Sequence, residues 1–153
     1  MNIFKKIENN ELSLYVNGDL IYKRWIDTGE SKVFDTVAYD KYMHTSVRDM
    51  KYESRDNLIV VQAKLKMKNT AEGGRKTGFV SGYRPNHVFE RPAKGQTFVG
   101  EIIFEGQRTI EPGEEKIVTV RFILNQPIEK YLDKGRKWWI QEAQNVLGEA
   151  EII

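Results

Sequence analysis

The residues of this sequence best suited to chemistry are cations. Between positions 64 and 94 there are eight basic residues and two acidic ones, whereas the flanking regions are close to neutral or acidic. The cations are Lys64, Lys66, Lys68, Arg75, Lys76, Arg84, Arg91 and Lys94. Such a stretch predicts either a surface that neutralises phosphates or a solvated strand-and-loop face. The net charge of +2 is too small to indicate nucleic-acid binding by itself.

Groups for acid–base, nucleophilic or metal chemistry are scarce. The sequence has no cysteine and two histidines, His44 and His87, which lie far apart along the chain. Asp133 is the only aspartate after residue 56, which leaves few candidates for a carboxylate pair or a Ser-His-Asp triad. We therefore expect no enzyme activity, no metal site and no cofactor. A single histidine in a β protein is usually a surface or edge residue, and we expect this here.

The glycines at positions 73 and 74 stand beside Arg75 and Lys76, but they do not form a phosphate loop. The sequence contains neither the phosphate-loop pattern nor the dinucleotide fingerprint. The run joins two predicted strands, so it lacks the helix N-terminus on which a phosphate cradle depends.

Length and composition indicate a globular protein. The chain has 153 residues, of which 40% are hydrophobic and 30% are charged, and this fits one domain or one domain with an extension. No run approaches the roughly 20 apolar residues of a membrane span. Residues 1–14 lack the apolar stretch and cleavage site of a signal peptide. We expect a cytoplasmic protein that does not bind membranes.

The elements that must position these side chains are mostly strands. Leu12–Val16 and Leu20–Trp25 flank Asn17-Gly18, which is the strongest short-range signal for a β-hairpin. Apolar residues at roughly helical spacing between positions 39 and 52 predict a short helix. The polar run 55–57 marks a boundary between an N-terminal extension, residues 1–56, and a main domain, residues 57–153.

The main domain is predicted to contain six strands. They are Leu58–Met67, a strand from Thr77, Phe98–Phe104, Lys116–Leu124, Lys137–Gln141 and Val146–Ile153. Pro85 indicates an edge position, a bulge or a strand start, and a polar connection is expected between Pro127 and Gly135. Short strands with frequent turn signals and no long helix indicate an all-β fold, either a closed antiparallel barrel or a sandwich.

One segment resembles a known family. Residues 73–86, GGRKTGFVSGYRPN, resemble the signature of the C-terminal β-barrel domain of bacterial elongation factor Tu, Gly-Gly-Arg-x-Thr-Pro-Phe-x-x-Gly-Tyr-Arg-Pro-Gln. Later landmarks of that domain follow in the same order. The segments of this sequence that resemble them are Pro112-Gly113-Glu114, Pro127-Ile128, Gly135–Glu142 and Val146–Gly148. The resemblance covers about residues 57–153.

The resemblance implies a six-stranded antiparallel closed barrel of Greek-key type. Residues 1–56 resemble no family that we recognise, and we expect them to form a mostly β extension that packs on the barrel. In the family this domain is not catalytic. It packs against a GTPase domain and a second barrel, and its surface contacts the T stem of aminoacyl-tRNA and the exchange factor. No nucleotide binding is expected here because the sequence contains no GTPase domain.

Departures from the family pattern weaken the inference of tRNA binding. Gly78 replaces a proline, and His87 replaces an aromatic residue. The family's Arg-Glu-Gly-Gly-Arg-Thr run corresponds to Gln141–Val146, which lacks both arginines. This change removes positive charge that would neutralise phosphates.

The leading hypothesis is therefore a stand-alone, non-catalytic module from a bacterium. It binds a protein partner of the translation apparatus or mimics the elongation factor. The candidate interface residues are Tyr83, Arg84, Trp138 and Trp139. The two tryptophans are adjacent in a predicted strand, so that one points inward and the other outward. We expect aromatic residues of the extension to cover the outward one: Tyr15, Tyr22, Trp25 and Phe34.

Two alternatives stay open. The first is a weak RNA-binding module, with tRNA as the natural candidate. Its phosphate contacts would be Arg75, Lys76, Lys64, Lys66, Lys68 and Arg91. Tyr83 would stack on a base or, alternatively, be a buried barrel residue. The second alternative is a structural subunit without a site of its own.

Overall fold

The computed structural model describes residues 1–52, 59–91, 96–122 and 127–153. Its residues form two compact units, one comprising Met1–Ile59 with Ile123–Lys134 and the other comprising Val60–Phe122 with Gly135–Ile153. The predicted boundary at residues 56 and 57 lies outside the described residues. The packing of residues 1–56 on the barrel stays a prediction. No helix in the described ranges has the length and apolar character needed to cross a bilayer.

The N-terminal unit is built on a five-stranded sheet in the order β4-β3-β2-β1-β5. Its strands are β1 (Asn2–Glu8), β2 (Glu11–Val16), β3 (Asp19–Trp25), β4 (Ser31–Val33) and β5 (Lys51–Tyr52). The predicted hairpin is confirmed as β2 and β3. Asn17 and Gly18 both have positive φ, 52° and 93°. Two-residue turns of that geometry match the twist of the adjoining strands.

The predicted helix is shorter and starts earlier than its apolar spacing indicated. Helix α1 covers Thr36–His44, and the Asp35 side chain caps it by accepting a hydrogen bond from the Ala38 backbone N–H at 2.9 Å. Only Tyr42 is buried on this helix. A single 3₁₀ turn, Val47–Asp49, follows it.

Residues 127–134 are not the polar connection that we expected. They contain a 3₁₀ turn, Glu129–Tyr131, and bury Ile128, Tyr131 and Leu132 in the N-terminal unit. Glu129 is fully buried as well and forms an ion pair with Lys5 of β1, whose side chain is equally buried. The sequence pattern indicates a polar connection because four charged residues, Glu129, Lys130, Asp133 and Lys134, stand among the apolar ones that reach the core.

The second unit contains a closed six-stranded antiparallel barrel, as predicted. Its strands are β6 (Ile59–Met67), β8 (Asn86–Val88), β9 (Phe98–Ile103), β11 (Glu115–Phe122), β12 (Lys137–Glu142) and β13 (Asn145–Ile152). They close in the order β11-β6-β13-β12-β8-β9. The run β12-β8-β9-β11 is a Greek key, because β12 returns to lie beside β8. Leu58, Ile123 and Leu124, which we assigned to strands, lie outside the described residues.

The strand predicted from Thr77 is not part of the barrel. It is only β7, Phe79–Val80, which pairs with β10, Thr109–Ile110, in a separate two-stranded sheet. The sixth barrel strand is β8, which begins directly after Pro85. Proline has no backbone N–H to give to a ladder, so a strand start is one of the few positions that it tolerates.

His87 corrects our expectation of a surface or edge histidine. It is fully buried in the barrel, where its ring centroid lies 5.1 Å from that of Phe122 and 6.2 Å from that of Trp138. The Trp138 indole N–H donates to its Nδ1 at 2.9 Å, and its Nε2 lies 3.0 Å from the Gly100 carbonyl oxygen. Burial lowers the pKa of His87 to about 4, so the ring is neutral near pH 7.

Candidate functional site

The two adjacent tryptophans of β12 point to opposite faces of the barrel wall, as predicted. Trp138 is fully buried, whereas Trp139 is partly exposed. The interface prediction for Trp138 is corrected, because a side chain that fills the barrel core cannot meet a partner in the folded state. Trp139 is the member of the pair that faces outward.

Trp139 lies in a register row that crosses three strands. It stands opposite Glu149 of β13, and Glu149 stands opposite Lys66 of β6. In the neighbouring row, Glu151 of β13 stands opposite Lys137 of β12 on one side and Lys64 of β6 on the other. Facing residues in adjacent strands have Cβ atoms only about 5 Å apart, so each row brings charges of opposite sign together.

A groove of about 270 Å³ opens at the end of the first row. We call it the Trp139 groove and define it by Lys66, Lys68, Arg91, Trp139, Val146 and Glu149. It brings together three cations predicted to bind RNA and one tryptophan predicted to bind protein. The Arg91 guanidinium lies over the Trp139 ring, 5.6 Å from the ring centroid, which is a cation–π arrangement.

The charges of the groove are not balanced. Glu149 forms an ion pair with Lys137 at 3.2 Å, and a second carboxylate of the wall, Glu72, accepts from the Asn69 backbone N–H at 3.4 Å. Among the residues that the structure describes, Lys66, Lys68 and Arg91 have no ion-pair partner. The groove therefore presents cations whose charge is not neutralised by a bonded carboxylate.

Arg75 and Tyr83 form a second cluster with Glu142. The Arg75 guanidinium is paired with the Glu142 carboxylate and lies 4.9 Å from the centroid of the Tyr83 ring. The Tyr83 hydroxyl donates to the same carboxylate at 2.5 Å. Burial, reinforced by Glu142, raises the pKa of Tyr83. Both side chains thus have a carboxylate partner within the barrel unit.

Arg84 belongs to a third cluster, centred on Glu101 of β9. Glu101 accepts from Arg121 at 2.5 Å and lies 3.5 Å from the Arg84 guanidinium. Hydrogen bonding to Arg121 holds the pKa of Glu101 below its usual range, and Arg84 adds to the effect. Arg84 keeps 59% of its side chain exposed and so retains a solvent-facing surface.

The remaining candidates lie outside these clusters. Lys64 is exposed on β6 beside Glu151, and Lys76 is exposed in the loop before β7. Lys94 lies outside the described residues. The structure therefore does not bring all of the predicted cations to one surface, and Arg75 and Arg91 belong to different clusters.

The carboxylates Glu101, Glu142 and Glu149 are the functional neighbours that our sequence analysis missed. The distribution of charge along the chain does not reveal them, because all three lie outside the basic stretch at positions 64–94. Alternation of Glu149 and Glu151 on the last strand was a usable signal, but only the register of β13 against β6 shows which lysines they face.

The N-terminal unit has an open pocket of about 780 Å³ beside α1. Its wall includes Asp35, Val37, Lys41, His44 and Asp49, and it contains none of the predicted site residues. Within the described ranges, no group of three histidine, aspartate or glutamate side chains is placed to hold a metal ion.

No family model matches the sequence. The resemblance to elongation factor Tu therefore stays a prediction that rests on the residues at positions 73–86 and on the landmarks that follow them.

Proposed function

We propose that this protein is a non-catalytic binding module whose barrel binds a protein partner through its outer face. The Trp139 groove is the observation that carries the proposal. There a partly exposed tryptophan lies under Arg91 and beside Lys66 and Lys68. Tryptophan and arginine are the residues most enriched at the energetic centres of protein interfaces, where they are surrounded by groups that exclude water.

The surroundings of the two histidines support a role without catalysis. Both ring nitrogens of His87 are used inside the barrel, by Trp138 and by the Gly100 carbonyl. His44 is exposed at the end of α1, where Nδ1 lies 2.9 Å from the Asp40 carbonyl oxygen. Neither ring is therefore positioned as an oriented general base with a neighbouring nucleophile.

The setting that we propose is translation in the bacterial cytoplasm. This part of the proposal rests on the resemblance of residues 57–153 to the C-terminal barrel of elongation factor Tu. In that family the barrel surface contacts the exchange factor, which makes the exchange factor the first protein to test as a partner.

RNA binding is the second candidate, and one observation favours it. Lys66, Lys68 and Arg91 could neutralise phosphates while Trp139 stacks on a base. Against it, Arg75 is already paired with Glu142, and Glu149 and Glu151 lie opposite the lysines of β6. A polyanion would meet these carboxylates along its length, so we place protein binding first.

The experiment that tests the proposal compares two partners on the immobilised full-length chain. Purified exchange factor of elongation factor Tu and bulk aminoacylated tRNA are titrated by biolayer interferometry at several salt concentrations. We expect the exchange factor to bind and Trp139→Ala to weaken this binding by about tenfold, whereas Val80→Ala, at an exposed residue of β7 outside the groove, has no effect.

The opposite pattern would reject the proposal. If only tRNA binds, its affinity should fall with salt, and a Lys66→Ala, Lys68→Ala double variant should reduce the slope by about 1–2. That result would establish the RNA-binding alternative. If neither partner binds at low salt, the translation setting is wrong.

A further inference from the structure

The Trp139 groove is small for a site that binds a drug-sized ligand or a cofactor. Pockets for drug-sized ligands and cofactors usually enclose about 300–1,000 Å³, whereas this groove encloses about 270 Å³. A volume of this size suits one bulky side chain inserted from a larger partner. The Trp139 ring and Val146 provide apolar contact surface for such a side chain.

The charge around the groove indicates which charged groups of the partner should lie beside that side chain. The carboxylates in its wall are already bonded, Glu149 to Lys137 and Glu72 to the Asn69 backbone. The three cations have no ion-pair partner among the described residues. An incoming carboxylate would therefore form ion pairs without having to displace an existing one, whereas an incoming cation would be repelled.

We infer that the Trp139 groove binds a short acidic protein segment, with one bulky apolar side chain in the groove and carboxylates beside it. The apolar side chain packs against Trp139, and the carboxylates pair with Arg91, Lys66 and Lys68. This inference rests on the proposed function, because it names the chemistry of the partner that the same surface would bind.

The register of the surrounding strands favours a short acidic segment over a nucleic acid. Glu149 and Glu151 occupy alternate outward positions of β13, between the lysines of β6 and the residues of β12. A regularly charged phosphate backbone that crosses this surface would approach both glutamates. A peptide with carboxylates only at its contact with the groove avoids them.

The test uses designed peptides and the full chain. The first probe is a capped heptapeptide with four glutamates around a central phenylalanine. The second carries lysines in place of the glutamates, and the third carries alanine in place of the phenylalanine. A uridine dodecanucleotide serves as the nucleic-acid probe. Binding is followed in nitrogen–proton NMR spectra through the Trp139 indole N–H, assigned with Trp139→Phe, while the Trp25 indole is the internal reference.

We expect the glutamate–phenylalanine peptide to shift the Trp139 signal in a saturable way and to bind about tenfold more tightly than the alanine peptide. The lysine peptide should leave the signal unchanged. Arg91→Ala should weaken binding by about tenfold, whereas Arg108→Ala, at an exposed arginine outside the groove, should not change it.

Two results would overturn the inference. In the first, the peptides leave Trp139 unchanged at millimolar concentration. In the second, the uridine dodecanucleotide shifts it and the acidic peptide does not. Failure here is distinguishable from failure of the proposed function. If the exchange factor binds and the acidic peptide does not, the function stands and the groove chemistry is wrong. If the peptide binds and the exchange factor does not, the groove chemistry stands and the partner is wrong.

Discussion

Each of the two units buries polar side chains in its core, but the two units satisfy these side chains in different ways. The N-terminal unit buries two charges, Lys5 and Glu129, as an ion pair, and the Tyr42 hydroxyl donates to the same carboxylate at 3.0 Å. The barrel buries His87 as a neutral ring that accepts from Trp138. Burial and the nearby Glu129 raise the pKa of Tyr42, so its proton stays in place.

The difference determines how each core can fail. A buried charge depends on its partner, because removal of the partner leaves an unpaired ion in a medium that solvates it poorly. A buried neutral histidine depends on the proton concentration, because the unfolded chain binds a proton that the core excludes. Mutation should therefore affect the N-terminal unit most, and acid should affect the barrel most.

The largest expected effect follows from breaking the ion pair. Glu129→Ala leaves the buried Lys5 side chain without its carboxylate partner, and we expect it to lower the free energy of unfolding by about 3–5 kcal/mol. Urea unfolding followed by circular dichroism measures the loss, and hydrogen exchange should localise it to β1 and β2. A loss confined to barrel amides would contradict the comparison.

The sequence predicts the core of the barrel better than the core of the N-terminal unit. Alternation of Val61, Ala63, Leu65 and Met67 indicated β6 directly, and Asn17-Gly18 indicated the first hairpin. Strand β1 was missed because Lys5 occupies an inward position, where the hydrophobic pattern requires an apolar residue. The burial of Glu129 was missed for the same reason. The burial of a paired charge cannot be predicted from the sequence pattern until the partner is known.

The candidate site shows the same limit. The residue types at Lys66, Arg91 and Trp139 were identified from the sequence, but their meeting in one groove depends on the pairing of β6, β13 and β12. Short-range patterns fix which residues of a strand point outward. They do not fix which strands are neighbours in a Greek-key barrel.

A double replacement sharpens the comparison at a smaller cost. Lys5→Met together with Glu129→Gln removes both charges and keeps an acceptor for Tyr42. We expect the double variant to lose less stability than the two single variants added together, by at least about 2 kcal/mol, because neither core position then holds an unpaired ion. A complete double-mutant cycle of urea midpoints measures this coupling. Simple additivity of the two single variants would show that the pair is not coupled.

Acid should weaken the barrel through His87. Its pKa is about 4 in the folded protein against an ordinary value of 6.5, so its contribution is fully present above about pH 7 and is lost as the pH falls towards 4. The expected loss between pH 7 and pH 5 is about 2 kcal/mol. Urea unfolding at both pH values, followed by hydrogen exchange of β8 and β12, measures it. His87→Phe should remove this pH dependence, and its persistence in that variant would assign the effect to other groups.

The smallest effect is expected one residue away from Lys5. Lys6 and Glu8 form a second Lys–Glu pair on β1, 3.0 Å apart, but their side chains are 44% and 66% exposed. Water and salt screen such pairs, so Lys6→Ala should leave the urea midpoint unchanged. A loss comparable to that of Glu129→Ala would mean that burial does not govern the energetics of this strand.

The insertion of residues 127–134 into the N-terminal unit has a consequence for synthesis on the ribosome. Lys5 leaves the exit tunnel early, but Glu129 is translated more than a hundred residues later, after most of the barrel sequence. At about 5–20 residues per second, the interval is roughly 6–25 s. During that time the N-terminal sheet cannot close its core around a neutralised pair. The nascent chain is therefore expected to expose β1 to chaperones and proteases until the segment that completes it has emerged.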